Sequence, residues 1–283
     1  MNVSIIRGEV YIVATPIGNL KDITLRALEV LKAVDLVLVE DTRRARRLFN
    51  HFGIDTAMFA LHDHNETELI PEVLSRVNNG ASIALISDAG TPLISDPGFK
   101  LISELIKNNI EPVTIPGPSS VISSLTLSGM DISNFIFLGF LPKRDKKILE
   151  ILKKNLSVYI PVVIFSNSKN LKIILRIIEK NFSSSSISIS KEISKINEET
   201  RRGTIDYILK NIEDTFYNKG EFVLIVKNEP SNNSNQINEL LEFLEIFKNE
   251  GISLKKTVDI LNKKFNIGKK VIYSEALKKW NQD

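Results

Sequence analysis

A chain of 283 residues, 43% apolar and 25% charged, has material for about two packed domains, which excludes global disorder, and no apolar run reaches the roughly 18 residues that cross a bilayer. The lack of cysteine excludes disulfides, thiol nucleophiles and thiolate metal sites, and three histidines leave little for a dedicated metal centre. Net charge is +3 but lopsided: residues 1–142 hold 11 Lys and Arg against 16 Asp and Glu, and residues 143–283 hold 26 against 18. Such a split points to a polyanionic partner or to a lysine-rich composition.

The opening MNVSIIRGEV lacks the basic, apolar and small-residue series of a signal peptide, so a cytoplasmic protein is expected. Short apolar runs then read as strands: Val10–Ala14, Leu36–Val39, Ile83–Ile86, Pro112–Ile115, Phe135–Leu138, Val162–Phe165 and Phe222–Val226. Helical periods lie between them. Leu25, Leu28 and Leu31 form a stripe after an N-cap at Asp22 or Thr24, Leu101, Leu105 and Ile106 follow Gly98, and Leu171, Ile174, Leu175 and Ile178 follow Asn170. Pro116-Gly117-Pro118 is a strong break, with Pro118 expected as the first helical residue. SSSSISIS at 183–190 is low in complexity, although alternating Ile187 and Ile189 allow a strand. SNNSNQ at 231–236 reads as a linker to an acidic helix and then two basic helices meeting at Ile267-Gly268, the pair a helix–turn–helix in outline with net charge +6 over 251–281. The alternation predicts an α/β fold of two α/β domains, residues 1–115 and 116–230, with a small basic helical module at 237–283.

Three loops rich in Gly, Pro and small polar residues each follow a strand: ATPIGNL at 14–20, SDAGTPLISDPG at 87–98 and PGPSS at 116–120. Ligands of open α/β sheets bind beyond the carboxyl ends of strands, where glycines admit close backbone approach and helix starts bind anions. Any one loop is adequately explained as turn chemistry; three within one half-chain suggest a binding cleft. TPIGNL is not a G-x-G-x-x-G fingerprint, and no phosphate loop is present, so ordinary dinucleotide and P-loop readings are unsupported.

In this order and spacing, VATPIGNLKDITLRALEVL, VEDTRR, SDAGTPLISDPG, PGPSS and FLGFLPK resemble the 16S ribosomal RNA cytidine 2′-O-methyltransferase family, over residues 8–228. That family belongs to the tetrapyrrole-methylase-like superfamily of S-adenosylmethionine enzymes. The resemblance implies two α/β domains with S-adenosyl-L-methionine between them, a homodimer, and 16S RNA or the small ribosomal subunit as partner. It implies that Pro16 abuts the donor, that Ala89, Gly90, Thr91 and Ile94 line its methionine portion, and that Ser119 and Ser120 add polar and backbone contacts. Ser166 and Gly203 would close over the adenosine. One departure stands out: the family's aromatic, acidic, proline and histidine-containing stretch after Val163-Ile164-Phe165 is here Ser166-Asn167-Ser168-Lys169-Asn170.

Methylating a ribose hydroxyl calls for a base, and candidates gather in Glu40-Asp41-Thr42-Arg43 and His62-Asp63-His64-Asn65-Glu66. Asp41 stands at a strand end and is the expected base; the structural alternative is helix capping by Asp41 or Thr42. His62 and His64 have a metal-like spacing but form a thin ligand set, so no metal is expected. His64 then reads as a substrate contact or as part of a polar loop. Arg43, Arg44, Arg46 and Arg47 are expected phosphate contacts, as are Lys143, Arg144, Lys146 and Lys147, against the alternative of solvated helix faces. Lys191-Glu192-Ile193-Ser194-Lys195 either reaches the cleft or forms a solvated strand edge. Tyr273 and Trp280 read as core residues. Two rival functions stand beside ribose methylation: methylation of a tetrapyrrole or other small molecule, and a non-catalytic RNA-binding assembly role.

Overall fold

The computed structural model describes residues 7–212, 214–229, 234–265 and 267–280. The opening MNVSII, read above for a signal peptide, lies outside them, as does the first half of the expected linker.

The first sheet contains β1 (Val10–Val13), β2 (Leu36–Val39), β3 (Met58–Ala60), β4 (Ile83–Ile86) and β5 (Val113–Ile115), in the order β3-β2-β4-β1-β5. Every pairing in it is parallel. Both faces must then be covered, and alternation within the strands divides them. Val37, Val39, Ala84 and Ile86 meet α1 (Leu25–Ala33) and α2 (Thr42–Phe52), whereas Leu36, Leu38, Ile83 and Leu85 meet α3 (Glu66–Asn78) and α4 (Phe99–Lys107). Thr24 caps α1, its hydroxyl accepting from the Ala27 amide at 3.1 Å. The buried face of α1 is Ala27, Val30 and Leu31; Leu25 is 80% exposed, so the Leu25-Leu28-Leu31 stripe is not the core face. Ile102 rather than Ile106 completes the buried face of α4.

After β5 the chain crosses to the second domain. Ser119 caps α5 (Ser120–Ser128), which places Pro118 one residue before the cap rather than in the first turn. The second sheet contains β6 (Ile136–Phe140), β7 (Val162–Asn167), β8 (Ser185–Lys191), β9 (Glu199–Thr204) and β10 (Glu221–Asn228), in the order β6-β7-β10-β8-β9. Only β6 and β7 run parallel. One face packs on α6 (Asp145–Leu156), α7 (Ser168–Asn181) and α8 (Ile205–Asn211). On the other face Val163, Val223 and Ile225 receive Val121 and Leu125 of α5. The Ser/Ile repeat is β8: Ile187 and Ile189 enter the main core, and β10 and β9 pair with it on either side.

The C-terminal helices α9 (Ser234–Asn249), α10 (Leu254–Phe265) and α11 (Lys269–Trp280) share a core of their own, built on Leu240, Leu244, Val258, Leu261, Ile272 and Ala276. Trp280 packs against it, whereas Tyr273 is half exposed, contrary to its expected place in the core. Ser234–Gln236, expected within the linker, already belong to α9. No helix among the described residues is long and apolar enough to cross a membrane.

Candidate active site

The three loops meet at the carboxyl edge of the first sheet. Thr15 and Gly90 exchange backbone hydrogen bonds of 2.9 and 3.0 Å, an isolated antiparallel bridge between the first loop and the second. The buried Thr15 hydroxyl donates to the Ser87 carbonyl at 3.3 Å, and the Thr91 hydroxyl donates to the Pro118 carbonyl at 3.2 Å, joining the third. The second loop turns tightly, with Leu93 at φ 72° and Ser95 at φ 70°, a left-handed conformation that costs a non-glycine residue of order 1–3 kcal/mol. Gly98 ends it at φ 117°, where a Cβ would stand 2.9 Å from side-chain carbons of both Leu85 and Leu93.

The second domain faces these loops with Phe140, Phe165, Ser166, Asn167 and the Gly220–Val223 segment, enclosing a cavity of about 460 Å³. Phe140 is 62% exposed and its ring lies 5.4 Å from that of Phe165. The segment after β8 reaches across to the first domain. The Ser194 hydroxyl donates to the Asp22 carboxylate. Gly18 lies so close to this segment that a Cβ there would meet Lys195 Cγ at 2.5 Å and the Ile193 carbonyl oxygen at 2.9 Å. Lys195 is itself held by Glu192 at 3.1 Å and Glu221 at 2.9 Å, while Ile196 beside it is fully exposed. Ile193 lines the cavity, so this stretch is a wall of the cleft rather than a solvated edge.

Of the residues expected at the donor, Ala89, Gly90, Thr91, Ile94, Ser119, Ser120 and Ser166 line this cavity. Pro16 does not; the side chain that the first loop contributes is Ile17. Gly203 does not either, because β9 is the far edge strand, and the place expected for it is taken by Gly220–Val223 at the start of β10. The atypical Ser166–Asn170 stretch keeps its geometry. Ser166 is buried and ends β7, while Asn167 caps α7, its side-chain oxygen accepting from the Asn170 amide at 3.0 Å.

Beside the cavity lies a polar groove that shares Glu40, Arg44 and Asp88 with it and adds Asp41, Arg43 and His62. Arg44, read from sequence as a phosphate contact, therefore stands at the junction; its Nη1 is 3.0 Å from Asp88 Oδ2. Asp41 caps α2. Its Oδ1 accepts from the Arg43 amide at 2.8 Å and from Arg43 Nε at 3.0 Å, and its Oδ2 accepts from Nη2 at 2.7 Å. The Arg43 side chain and amide hold the carboxyl far below the usual range, which makes Asp41 a weak proton acceptor. Arg47, His64 and Lys143 are exposed and line neither space. Within His62–Glu66, hydrogen bonds of His62, Asn65 and Glu66 hold the backbone, while His62 also lines the groove. The Asn65 side chain accepts from the His62 amide at 2.8 Å, and the His62 ring accepts from the Asn65 amide at 3.2 Å. Buried Glu66 accepts from the Leu101 amide at 2.8 Å, satisfying the start of α4.

The carboxylates that the cavity does contain are Glu40, Asp88, Asp96 and Glu221. Burial raises the proton affinity of Glu40 and Asp88. Burial, then the neighbouring Glu40, pushes Asp96 up to about 6. Sequence reasoning passed over Asp88 and Asp96 because both sit inside a Gly/Pro loop read for its backbone, and over Phe140 because it lies beyond the expected strand Phe135–Leu138 and was read only as part of the FLGFLPK motif.

The tetrapyrrole (corrin/porphyrin) methylase model matches residues 9–208. Ribosomal RNA small subunit methyltransferase I of Rickettsia prowazekii is 36% identical over 97% of this chain and 98% of its own, and that of Escherichia coli O157:H7 is 36% identical over 96% and 95%. The chain belongs to this methyltransferase family. A match over 97% of the chain must take in most of α9–α11, so the helical module is shared with these relatives. Two solved structures share the fold of the methylases: a cobalt precorrin-4 methyltransferase, with TM-score 0.58 and 15% identity over 77% of this chain and 94% of that one, and the Thermus thermophilus uroporphyrin-III-C-methyltransferase, with TM-score 0.51 and 17% identity over 78% and 95%.

Proposed function

We propose that this chain methylates the 2′-hydroxyl of a cytidine ribose in small-subunit (16S) ribosomal RNA, using S-adenosyl-L-methionine, and works as a homodimer. The observation that carries the reading is the joining of three backbone-rich loops to one cavity in a chain whose relatives match along nearly its whole length. The cavity fits such a donor in chemistry as well as volume. Phe140, Phe165 and Ile17 offer apolar surface to a nucleoside, and Ala89–Thr91 with Ser119 and Ser120 offer backbone and hydroxyl groups to a zwitterionic amino-acid end. When bound, the donor supplies an electrophilic methyl group on a sulfonium. The chain's own residues do the rest: the welded loops hold the donor's position, Ile193 and Phe222 help exclude water from the side of the second domain, and Arg44 marks the acceptor's entrance from the groove.

The groove carries Arg43 and Arg44, and Arg46 and Arg47 stand exposed along the same helix, a surface suited to a phosphodiester backbone. A tetrapyrrole acceptor gives no reason for that surface or for the basic helical module. A non-catalytic role had its support in the Ser166–Asn170 stretch, which here ends a strand and caps a helix without disturbing the cavity wall. The test is to incubate the protein with labelled donor and unmodified small subunits, naked RNA or tetrapyrrole precursors. Label in ribose of the subunit RNA is expected; label in a tetrapyrrole, or donor binding without transfer to any acceptor, refutes the reading. Sedimentation at micromolar concentration should give the mass of two chains.

A further inference from the structure

The carboxylates around the cavity differ in what holds them. Asp88 is engaged by Arg44 and also accepts from the Asp41 amide at 3.2 Å. Glu221 is paired with Lys195, and Asp41, outside in the groove, with Arg43. Asp96 is in no ion pair among the described residues; the Ser87 hydroxyl is its hydrogen-bond partner. Its backbone is also tightly constrained. Left-handed Ser95 precedes it, Pro97 follows with its φ fixed by the ring, and Gly98 then packs against Leu85 with no room for a Cβ. A carboxylate so fixed, on the wall of the cavity that Arg44 also lines, is preorganised to meet one hydroxyl.

We propose that Asp96 is the general base of the methyl transfer, an assignment that rests on the function proposed above. The ribose O–H proton passes to the Asp96 carboxylate as an oxygen lone pair forms the O–CH₃ bond. The S–CH₃ bonding pair returns to sulfur, leaving a neutral thioether, a methyl ether and a protonated Asp96 that releases its proton to solvent. Burial and the like charges of Glu40 and Asp88 raise its proton affinity, and the hydrogen bond from Ser87 opposes them. At about 6, the group is ionised at neutral pH yet more basic than an ordinary aspartate. Glu40 is a positioning residue, acting on the reaction through the charge it places near Asp96.

The experiment compares wild type, Asp96→Asn and Glu40→Gln in single-turnover methylation of unmodified small subunits across pH 5–9, with donor affinity by calorimetry and ligand-free unfolding in urea. For Asp96→Asn the rate should fall about 10²–10⁴-fold with donor affinity within twofold. The wild-type rate should rise through pH 6, and this limb should vanish in Asp96→Asn and move to lower pH in Glu40→Gln. Without donor or RNA, a carboxyl whose folded pKa is raised loses stability as it ionises, so Asp96→Asn should gain on wild type as pH rises from about 4 to 6. This also shows that the variant folds. An Asp96→Asn rate within threefold of wild type, a donor affinity falling in step with the rate, or loss of the pH limb in Glu40→Gln but not in Asp96→Asn overturns the assignment. Absence of label in RNA from the wild type itself would instead bring down the function on which it rests.

Discussion

Glu66 shows what a single buried carboxylate does for this fold. It is 3% exposed and accepts the Leu101 amide, one of the N–H groups that the first turn of α4 leaves without a helical partner. Gly98, the residue before that helix, has no side chain with which to cap it. Glu66→Ala removes the acceptor and leaves a buried donor, which should cost about 1–3 kcal/mol, read as a lower urea midpoint at unchanged slope. The sequence placed Glu66 in a polar cluster with His62 and His64, and nothing local separates a capping carboxylate from a catalytic one. Asp41 makes the same point in reverse: its position after a strand was legible, but two of its three hydrogen bonds with Arg43 depend on the Arg43 rotamer. Asp96 was invisible for another reason, since the burial and the nearby Glu40 that raise its proton affinity come from the folded arrangement and leave no mark on the loop's own sequence.

At the level of elements, strands that bury both faces were the easiest to read: β2, β4, β7 and β10 contain the apolar runs that announced them, and the run for β1 overshoots it by one residue. β9 lacks such a run and β3 has only the short AMFAL at 57–61, which was passed over; each is an edge strand, and the ladder with its inner neighbour holds it in place. The helix α1 misled because Leu25 satisfies a helical period while Ala27 is the residue that touches the sheet. The loop from Ser87 to Gly98 was recognised as a motif, but its shape follows from tertiary packing. Gly98→Ala should destabilise the first domain by about 1–3 kcal/mol, because the backbone is left-handed there and the Cβ would strike Leu85 and Leu93. Thermal unfolding checks this, and donor affinity should fall with it because the same residue anchors the end of the loop. Gly18→Ala tests a different contact. Its Cβ would push on Lys195 and the Ile193 carbonyl, so the cleft wall should shift and donor affinity weaken more than stability. Equal effects on both would mean that the contact serves folding alone.

The whole molecule consists of two sheets that meet at a cavity, followed by a helical module with its own core. The two-sheet plan was legible because strand–helix alternation restarts after Pro116-Gly117-Pro118, and the charge split set apart the basic module. Which loops face each other across the cleft was not legible, since no local pattern encodes the docking of α5 on the second sheet. The module's packing on itself predicts that deleting residues 234–283 leaves donor affinity within about threefold, while subunit methylation falls at least tenfold and loses salt dependence with the removed lysines. Calorimetry with the donor and methylation at two salt concentrations separate these effects; equal loss of both would give the module a purely structural role.

The segment after β8 carries a consequence of a practical kind. Ile196 projects fully into solvent one residue beyond the Lys195 that packs on Gly18, and the chain contains no cysteine anywhere. A thiol introduced at Ile196 would therefore be the sole attachment point for a fluorophore, on the piece of backbone where one domain rests on the other. Opening of the cleft would be read directly as a change in emission, without mutating any residue that faces the donor.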